Sequence, residues 1–211
     1  MPHLYTLFDT PLGRSGIAWN EDGITRIQLA EASAAATAAR LEKHGARRAR
    51  TPVPPMVREA AKLITRHLRG HPQDFSSLPL VLEHLPPIRQ RIYAAARKIP
   101  AGTTLTYGEL AEKAGTPGAA RAAGAAMAEN PFILAIPCHR VMGANGALHG
   151  FSAYGGIETK RRILALEGVR VYQPRRPPRR HPDGLEYDRQ AAVAHLRNAD
   201  PVLAGLIRRA G

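Results

Sequence analysis

The residues with the clearest chemistry lie in the segment Pro137-Cys138-His139-Arg140-Val141, which follows the apolar run 132–136, a predicted buried strand. Cys138 is the only cysteine in the chain. A lone cysteine after an apolar run is most often an inert buried side chain. Here the adjacent histidine can help to remove the thiol proton, directly or through a water, and the nearby arginine favours the reactive thiolate. The segment therefore predicts a nucleophilic cysteine.

The residues around this segment add to the prediction. Pro137 restricts the backbone just before the nucleophile, and the downstream segment 143–156 is rich in glycine and carries Ser152. Glycine lets a backbone come close to a bound group. We therefore expect a loop that closes on a flat ligand beside the cysteine.

Composition limits the class of partner. The chain has 30 Lys plus Arg against 17 Asp plus Glu, a formal net charge of +13. Such a balance favours a polyanion, nucleic acid first and an anionic membrane surface second. Some of the charged side chains can instead simply keep surface loops solvated. This is the alternative interpretation of Arg47, Arg48 and Arg50.

The cysteine count and the N-terminal sequence also indicate a cellular compartment. One cysteine cannot form an internal disulfide or a multi-cysteine zinc site, so a reducing compartment is expected. The first residues lack a basic start followed by a long apolar run, and no stretch approaches the roughly 18 apolar residues of a membrane span. We expect a cytoplasmic protein with no membrane contact.

The first half is predicted to fold as a small antiparallel sheet with helices. Alternation and turn signals place strands at 4–8, 16–19 and 24–29, helices at 31–44 and 55–69, and a short strand at 78–82. His67 and His71 flank the end of the second helix, and solvated surface positions are expected for both. Leu85-Pro86-Pro87 is predicted as the boundary to a mainly helical second half.

The second half shows a helix-turn-helix outline. After a helix over 88–98, Thr106 and Glu109 have the spacing of a capping box, which satisfies free N–H groups at a helix start. Thr116-Pro117 is predicted to open a second helix that ends near Glu129. Two helices joined by a brief turn are typical of DNA-binding units.

The second of these helices, residues 119–128, consists of Ala, Gly and Met, with Arg121 as its main charge. A helix of small residues can approach another backbone closely. Taken alone, this composition favours tight packing inside the protein over contact with DNA.

A resemblance to a known family lies in three blocks of the second half. They read IPAGTTLTYGELA, RAAGAAMAENPFILAIPCHRV and GALHGFSAYGGIETKRRILALEG. These blocks are similar to the O6-alkylguanine-DNA alkyltransferases, also called methylated-DNA-protein-cysteine methyltransferases. The similarity covers about 88–168, and a more diffuse likeness covers 1–85.

The resemblance implies a fold and a division of the chain. Residues 1–85 are expected to form an α/β N-terminal domain, and residues 86–170 a mainly α catalytic domain with a winged-helix-like helix-turn-helix unit. The Pro/Arg-rich segment 171–190 is expected to be a linker. Residues 191–211 are expected to form a helical tail that weakly resembles the opening of a helix-hairpin-helix DNA glycosylase. One hypothesis is therefore the remnant or front end of a repair fusion.

By the same resemblance, Cys138 displaces guanine from the alkyl carbon of O6-alkylguanine and keeps the alkyl group, so that each molecule acts once. O4-alkylthymine is a further candidate substrate. His139 is similar to the base that deprotonates the thiol through a water, and Glu167 to the acid that orients this histidine. Asn130 resembles the hinge asparagine that supports the turn carrying the active site.

The resemblance also implies how DNA is bound. The damaged base must leave the stack of the duplex. Arg121 resembles the residue that fills the gap, and Tyr107 the tyrosine that crowds the target phosphate and donates a proton toward the purine. Further contacts are implied for two groups of positions. DNA contacts are expected at Ala122 and Gly124, and contacts to the base at Val141, Ser152, Gly155 and Gly156. No metal and no cofactor are expected, and the partner is duplex DNA bound by a monomer.

The chain departs from the family pattern at a few places. It has Ile88-Arg89 and Tyr93 where Phe-Gln and Trp are usual, which predicts altered packing with the chemistry retained. Ala128-Glu129 stands where a basic residue is common, which predicts a weaker grip on the DNA backbone.

Three other functions share some of these sequence features. A binding protein of the same fold recognises alkylated guanine without accepting the group, but such relatives replace the cysteine. A transcription regulator would need polar side chains on its recognition helix, and few are present. A Cys-His hydrolase draws its base from a distant segment, whereas Cys138 and His139 are adjacent.

Overall fold

A four-stranded sheet forms the first half of the chain. Strands β1 (His3–Thr10), β2 (Gly13–Trp19) and β3 (Ile24–Gln28) follow one another as an antiparallel meander, and the sheet order is β3-β2-β1-β4. Strand β4 (Ala46–Arg48) pairs with β1 in parallel. The sheet is therefore mixed, and the expectation of a purely antiparallel sheet was wrong.

Two helices cover this sheet. Helix α1 (Ala34–Lys43) begins after Ser33, whose side chain accepts a hydrogen bond from the Ala36 N–H. Helix α2 (Pro55–Leu68) begins with proline in its first turn, where the missing N–H costs nothing. Because β2 is covered on both faces, its last five residues are all buried.

Side chains of β2 alternate between two parts of the core. Ala18 packs with Leu41 on the α1 side, whereas Ile17 and Trp19 join the larger cluster on the α2 side. Gly16 shows how closely α1 approaches, because a Cβ at this position would lie 2.5 Å from a methyl of Leu41. The period of two in the strand thus decides which helix each residue contacts.

The computed structural model describes residues 3–50, 52–144 and 146–170, which belong to one compact unit, residues 1–173. The larger core cluster contains side chains from both halves, such as Ile64, Tyr93 and Ile163. The boundary near residue 85 stays a prediction. The expected linker 171–190 and tail 191–211 lie outside the described residues. Within the described ranges, no helix has the length and apolar character needed to cross a membrane.

The second half is mainly helical. Its elements are α3 (Pro87–Arg97), β5 (Leu105–Thr106), α4 (Tyr107–Lys113), α5 (Ala120–Ala128), a 3₁₀ turn (Cys138–Arg140), β6 (Val141–Met142) and α6 (Gly156–Leu166). Strands β5 and β6 pair in parallel, Leu105 with Val141 and Thr106 with Met142. This pairing brings the segment after the cysteine next to the start of α4.

The predicted capping box at the start of α4 is confirmed. The Thr106 hydroxyl accepts from the Glu109 N–H at 3.2 Å, and the Glu109 carboxylate accepts from the Thr106 N–H at 2.6 Å. The second predicted cap is wrong. Thr116 donates its hydroxyl to the Ala111 carbonyl, and α5 begins only at Ala120, because Gly118 has a positive φ of 79° that interrupts a helix.

Two predicted strands are reduced to isolated bridges. In the segment 78–82 only Leu80 bridges to Ile24. In the segment 132–136, Phe132 bridges to Ile27, and Leu134 then has a positive φ of 78°. An apolar run cannot continue as a strand through a left-handed residue, so the chain turns back on itself before the cysteine.

Replacing Thr106 with Ala tests the capping box. We expect Thr106→Ala to lower the free energy of unfolding by about 1 kcal/mol, because the Glu109 N–H loses its acceptor. Thr103→Ala, at an exposed position three residues earlier, is the matched control. Urea denaturation of both variants would measure the difference, and equal stabilities would contradict a stabilising cap.

Candidate active site

A pocket of about 480 Å³ opens between the start of α4, the end of α5 and the loop before α6. Cys138 lies at its base and is only 4% exposed. The pocket is lined by Tyr107, Gly124, Met127, Ala128, Cys138, His149, Gly150, Phe151 and Ser152. A cavity of this size can enclose a flat ring beside the cysteine sulfur.

Asn130 fixes the backbone that leads to the cysteine. Its side-chain amide donates to the Ile136 carbonyl at 2.7 Å, and its carbonyl accepts from the Phe132 N–H at 2.9 Å. These two bonds close the turn that contains Leu134. Asn130 is 3% exposed, so water does not compete for its hydrogen bonds. It thus lies where a hinge for the cysteine segment is needed.

The Cys138 thiol is held in its protonated form. Burial raises the pKa of this thiol, while a hydrogen bond from Asn130 and the charge of Lys160 act in the opposite direction. Lys160 is itself buried and donates through Nζ to the Val141 carbonyl at 2.6 Å. Because the thiol stays protonated, nucleophilic attack requires a base.

His139 is placed to be that base. Its Nε2 lies 2.9 Å from Oε1 of Glu167, and its Nδ1 has no hydrogen-bond partner in the described part of the chain. Because the carboxylate accepts, the ring proton belongs on Nε2 and the lone pair on Nδ1 is free. Burial lowers the pKa of His139 to about 4, against the pull of Glu167, so the ring is neutral at pH 7.

The Glu167 carboxylate contacts several of the basic side chains of the site. Arg140 donates through Nη2 to Oε1 at 2.7 Å and through Nε to Oε2 at 3.0 Å. Burial alone would raise the pKa of Glu167, but the contacts with His139, His67 and Arg140 hold it well below its ordinary value. The expected role of Arg140 beside the thiol is thus taken by Lys160, and Arg140 pairs with the carboxylate.

His67 belongs to the same cluster, so the expectation of a solvated surface position was wrong. The residue is 1% exposed, and its Nε2 lies 2.9 Å from Oε1 of Glu167. A signal was present in the sequence, because Val57, Ala60, Ile64 and His67 follow one another at the spacing of a buried helix face. The other histidine, His71, is exposed as expected.

The cluster has the residue types of a metal site. One ligand atom each from His67, His139 and Glu167 lies within 4.8 Å of the others. However, the Arg140 guanidinium already donates to both oxygens of Glu167. A divalent cation would have to lie beside this buried positive charge, which is unfavourable. We therefore interpret the cluster as a hydrogen-bonded network around the histidine base.

The other predicted site residues are placed as follows. Tyr107 and Ser152 line the pocket, and burial raises the pKa of Tyr107. The Ser152 hydroxyl is buried and has no hydrogen-bond partner among the residues described, so it is free to bind a ligand. Val141 is buried and is not part of the pocket lining. Gly124 on α5 also lines the pocket. The remaining predicted positions are not in the lining: Arg121 is exposed and Ala122 half-buried on α5, and Gly155 and Gly156 lie at the start of α6.

Sequence reasoning missed other lining residues. Met127 and Phe151 supply apolar surface, and His149 lies with its ring centre 6.2 Å from that of Tyr107. His149 stands in the glycine-rich loop that was expected to close on a ligand, so its proximity to the cysteine could have been anticipated. The position of Met127 could not have been anticipated, because the sequence of α5 does not indicate which face of the helix meets the pocket.

These features define a class of site: a buried cysteine in a pocket beside two adjacent helices, followed in the chain by a histidine that contacts a buried carboxylate. Two family models match the chain. One is described as "6-O-methylguanine DNA methyltransferase, ribonuclease-like domain" and matches residues 3–82, and the other as "6-O-methylguanine DNA methyltransferase, DNA binding domain" and matches residues 87–169. The chain belongs to the 6-O-methylguanine DNA methyltransferase family.

Individual relatives agree with this assignment. The methylated-DNA–protein-cysteine methyltransferase of Mycobacterium tuberculosis is 34% identical over 167 residues, which are 79% of this chain and 93% of the relative. That of Haemophilus influenzae is 37% identical over 165 residues, 78% of this chain and 86% of the relative. A crystal structure of the M. tuberculosis O6-methylguanine methyltransferase superposes with a TM-score of 0.63 at 34% identity, covering 78% of this chain and 92% of that one. A structure of the M. tuberculosis protein in complex with DNA gives a TM-score of 0.61 at 34% identity, covering 77% and 91%.

The low pKa of His139 gives a prediction for stability. The unfolded chain binds a proton at this histidine below about pH 6.5, whereas the folded protein does so only near pH 4, so stability falls as the pH drops through this interval. We expect a loss of roughly 2 to 3 kcal/mol of unfolding free energy between pH 7 and pH 4 from this group.

Urea denaturation at a series of pH values measures this loss. In His139→Gln the corresponding part of the pH dependence should disappear, because the side chain no longer titrates. The control His84→Gln removes an exposed histidine and should leave the profile unchanged. A His139→Gln profile as steep as that of the unmodified protein would contradict a buried neutral histidine.

Proposed function

We propose that this protein repairs O6-alkylguanine in duplex DNA by moving the alkyl group to the sulfur of Cys138, once per molecule. One observation carries the proposal: the sole cysteine lies at the base of an open pocket, and the adjacent histidine has a free Nδ1 and a carboxylate behind it. The family and its relatives support the substrate. A protein of this kind needs no cofactor, because the group it accepts stays on its own side chain.

The proposed reaction is a substitution at the alkyl carbon. His139 Nδ1 takes the thiol proton through a bound water, and the sulfur attacks the carbon attached to O6. The new S–C bond forms as the C–O6 bond breaks, and the electron pair of that bond goes to the guanine. The Tyr107 hydroxyl protonates the purine, so that neutral guanine leaves. The proton taken by His139 is released to solvent and Tyr107 recovers one from solvent, so the net change moves the thiol proton to guanine. The protein then carries an S-alkylcysteine, which no residue in the pocket can reverse.

The damaged base would reach the cysteine by rotating out of the duplex. A base inside the stack cannot reach a sulfur that lies in a pocket and is only 4% exposed. Helices α4 and α5 are adjacent and joined by a short turn, which supports the proposed helix-turn-helix role. Arg121 is exposed in the first turn of α5 and is proposed to occupy the gap that the base leaves.

The surface of α5 favours the minor groove. Its half-buried and exposed positions are mostly alanine and glycine, which allow close approach but make few base-specific hydrogen bonds. Lesion repair must be independent of the surrounding sequence, so a helix of this kind suits it. The same observation disfavours a sequence-specific transcription regulator.

The transfer is tested by intact-mass measurement of the protein before and after mixing with a duplex that contains one O6-methylguanine. We expect one added methyl group per molecule, mapped to Cys138 by peptide analysis, and no addition to Cys138→Ser. Tight binding of the lesion without a change in mass would overturn the proposal in favour of a recognition protein.

Arg121→Ala tests the base-rotation step separately. Unstacking a base costs a few kcal/mol, so we expect transfer from the duplex to slow by roughly tenfold or more. Transfer from a free O6-alkylguanine base should be unchanged, because nothing must leave a stack. Arg69→Ala, which removes an exposed arginine at the end of α2, controls for the lost charge. Equal slowing on duplex and free base would contradict a role in base rotation.

A further inference from the structure

We propose that His67 on helix α2 is a positioning residue for the transfer, because its Nε2–H holds Oε1 of Glu167 in the orientation that serves His139. The proposal rests on the proposed function, since it assigns a role within that reaction. It also gives the N-terminal half, matched over residues 3–82, a direct part in the active site.

The backbone settles which ring nitrogen of His67 carries the proton. The Gln73 N–H donates to Nδ1 of His67 at 3.1 Å. A protonated Nδ1 could not accept this bond, so the ring is the neutral tautomer with its proton on Nε2. His67 therefore presents a donor to Glu167 without adding a positive charge beside Arg140.

Oε1 of Glu167 then has three donors around it. His67 Nε2 and His139 Nε2 each lie 2.9 Å away, and Arg140 Nη2 lies 2.7 Å away. His67 approaches this oxygen off the line of its N–H bond, so it makes no well-aligned hydrogen bond in the described structure. Contacts of this kind often tighten only when the reacting complex forms.

Packing alone does not account for a histidine here. The ring contacts Phe75 at 5.3 Å between ring centres and His139 at 6.4 Å, and the residue is 1% exposed. An apolar ring would fill the same space without desolvating two nitrogens, which costs free energy unless each finds a partner. The Gln73 N–H uses one nitrogen, and Glu167 is the partner that remains for the other.

Two substitutions separate the two nitrogens. In His67→Asn the side-chain oxygen can still accept from the Gln73 N–H, but nothing reaches Glu167. In His67→Gln the longer amide places an N–H where Nε2 was. The exposed His71→Gln is the control for a histidine removed nearby. Each variant is mixed with an O6-methylguanine duplex, and the first-order transfer rate at saturating protein is measured together with the dissociation constant for the same duplex.

We expect His67→Asn to slow transfer about tenfold at unchanged DNA affinity, because the carboxylate behind the base loses one of its donors. His67→Gln should recover most of the rate, within about threefold of the unmodified protein. Transfer rates of both variants equal to that of the unmodified protein would overturn the proposal. So would equal slowing of both at unchanged melting temperature, since the donor at the Nε2 position would then not matter.

A measurement on the unmodified protein decides the case if the variants do not fold. The ¹⁵N chemical shifts of labelled histidine distinguish a protonated from an unprotonated ring nitrogen, and we expect the neutral Nε2–H form for His67. A proton on Nδ1 would overturn the proposal. Failure of the proposed function has a different signature, because the unmodified protein would then gain no methyl group in the same mass measurement.

Discussion

The structure depends on one buried negative charge, the carboxylate of Glu167. A charge withdrawn from water is stable only if it is paired and hydrogen-bonded. Its donors come from α2 and from the 3₁₀ turn that also carries Cys138, and Glu167 itself follows the last turn of α6. A carboxylate at a helix C-terminus is disfavoured by the helix dipole, and the Arg140 guanidinium offsets this. The requirement for partners therefore holds three segments of the chain together at the reaction centre.

Burial acts on the two reacting groups in a coordinated way. It raises the pKa of the Cys138 thiol and lowers that of His139, so both are neutral at rest. A neutral thiol is a poor nucleophile and is correspondingly protected from oxidants. In the proposed reaction, proton transfer would create a thiolate and an imidazolium together, and Lys160 and Glu167 would stabilise these two charges. The arrangement therefore suits the charges of the proposed reaction better than those of the resting protein.

Local signals in the sequence predicted a large part of this arrangement, and long-range contacts explain the misses. The capping box at Thr106 and helix α2 are set by residues within one or two turns, and both predictions are confirmed. Strand β4 was missed because it has three residues, two of them exposed arginines, and is stabilised by pairing with β1. The segment around Leu134 is predicted as a strand but forms a turn. The two hydrogen bonds of the Asn130 side chain stabilise this turn, and the apolar pattern of the segment does not indicate them.

The small residues of α5 allow close contacts on two sides of the helix, one facing the core and one facing the pocket. On its inner side, Ala123 and Ala126 are buried in the core, and the Ala126 carbonyl accepts from the Tyr93 hydroxyl at 3.0 Å. On the pocket side, a Cβ at Gly124 would lie 3.9 Å from the Tyr107 ring, which is an ordinary contact, so glycine or alanine fits at this position. Larger side chains would hold the helix away from both neighbours. The composition that predicts tight internal packing is therefore also the one that would suit the proposed close approach of this helix to DNA.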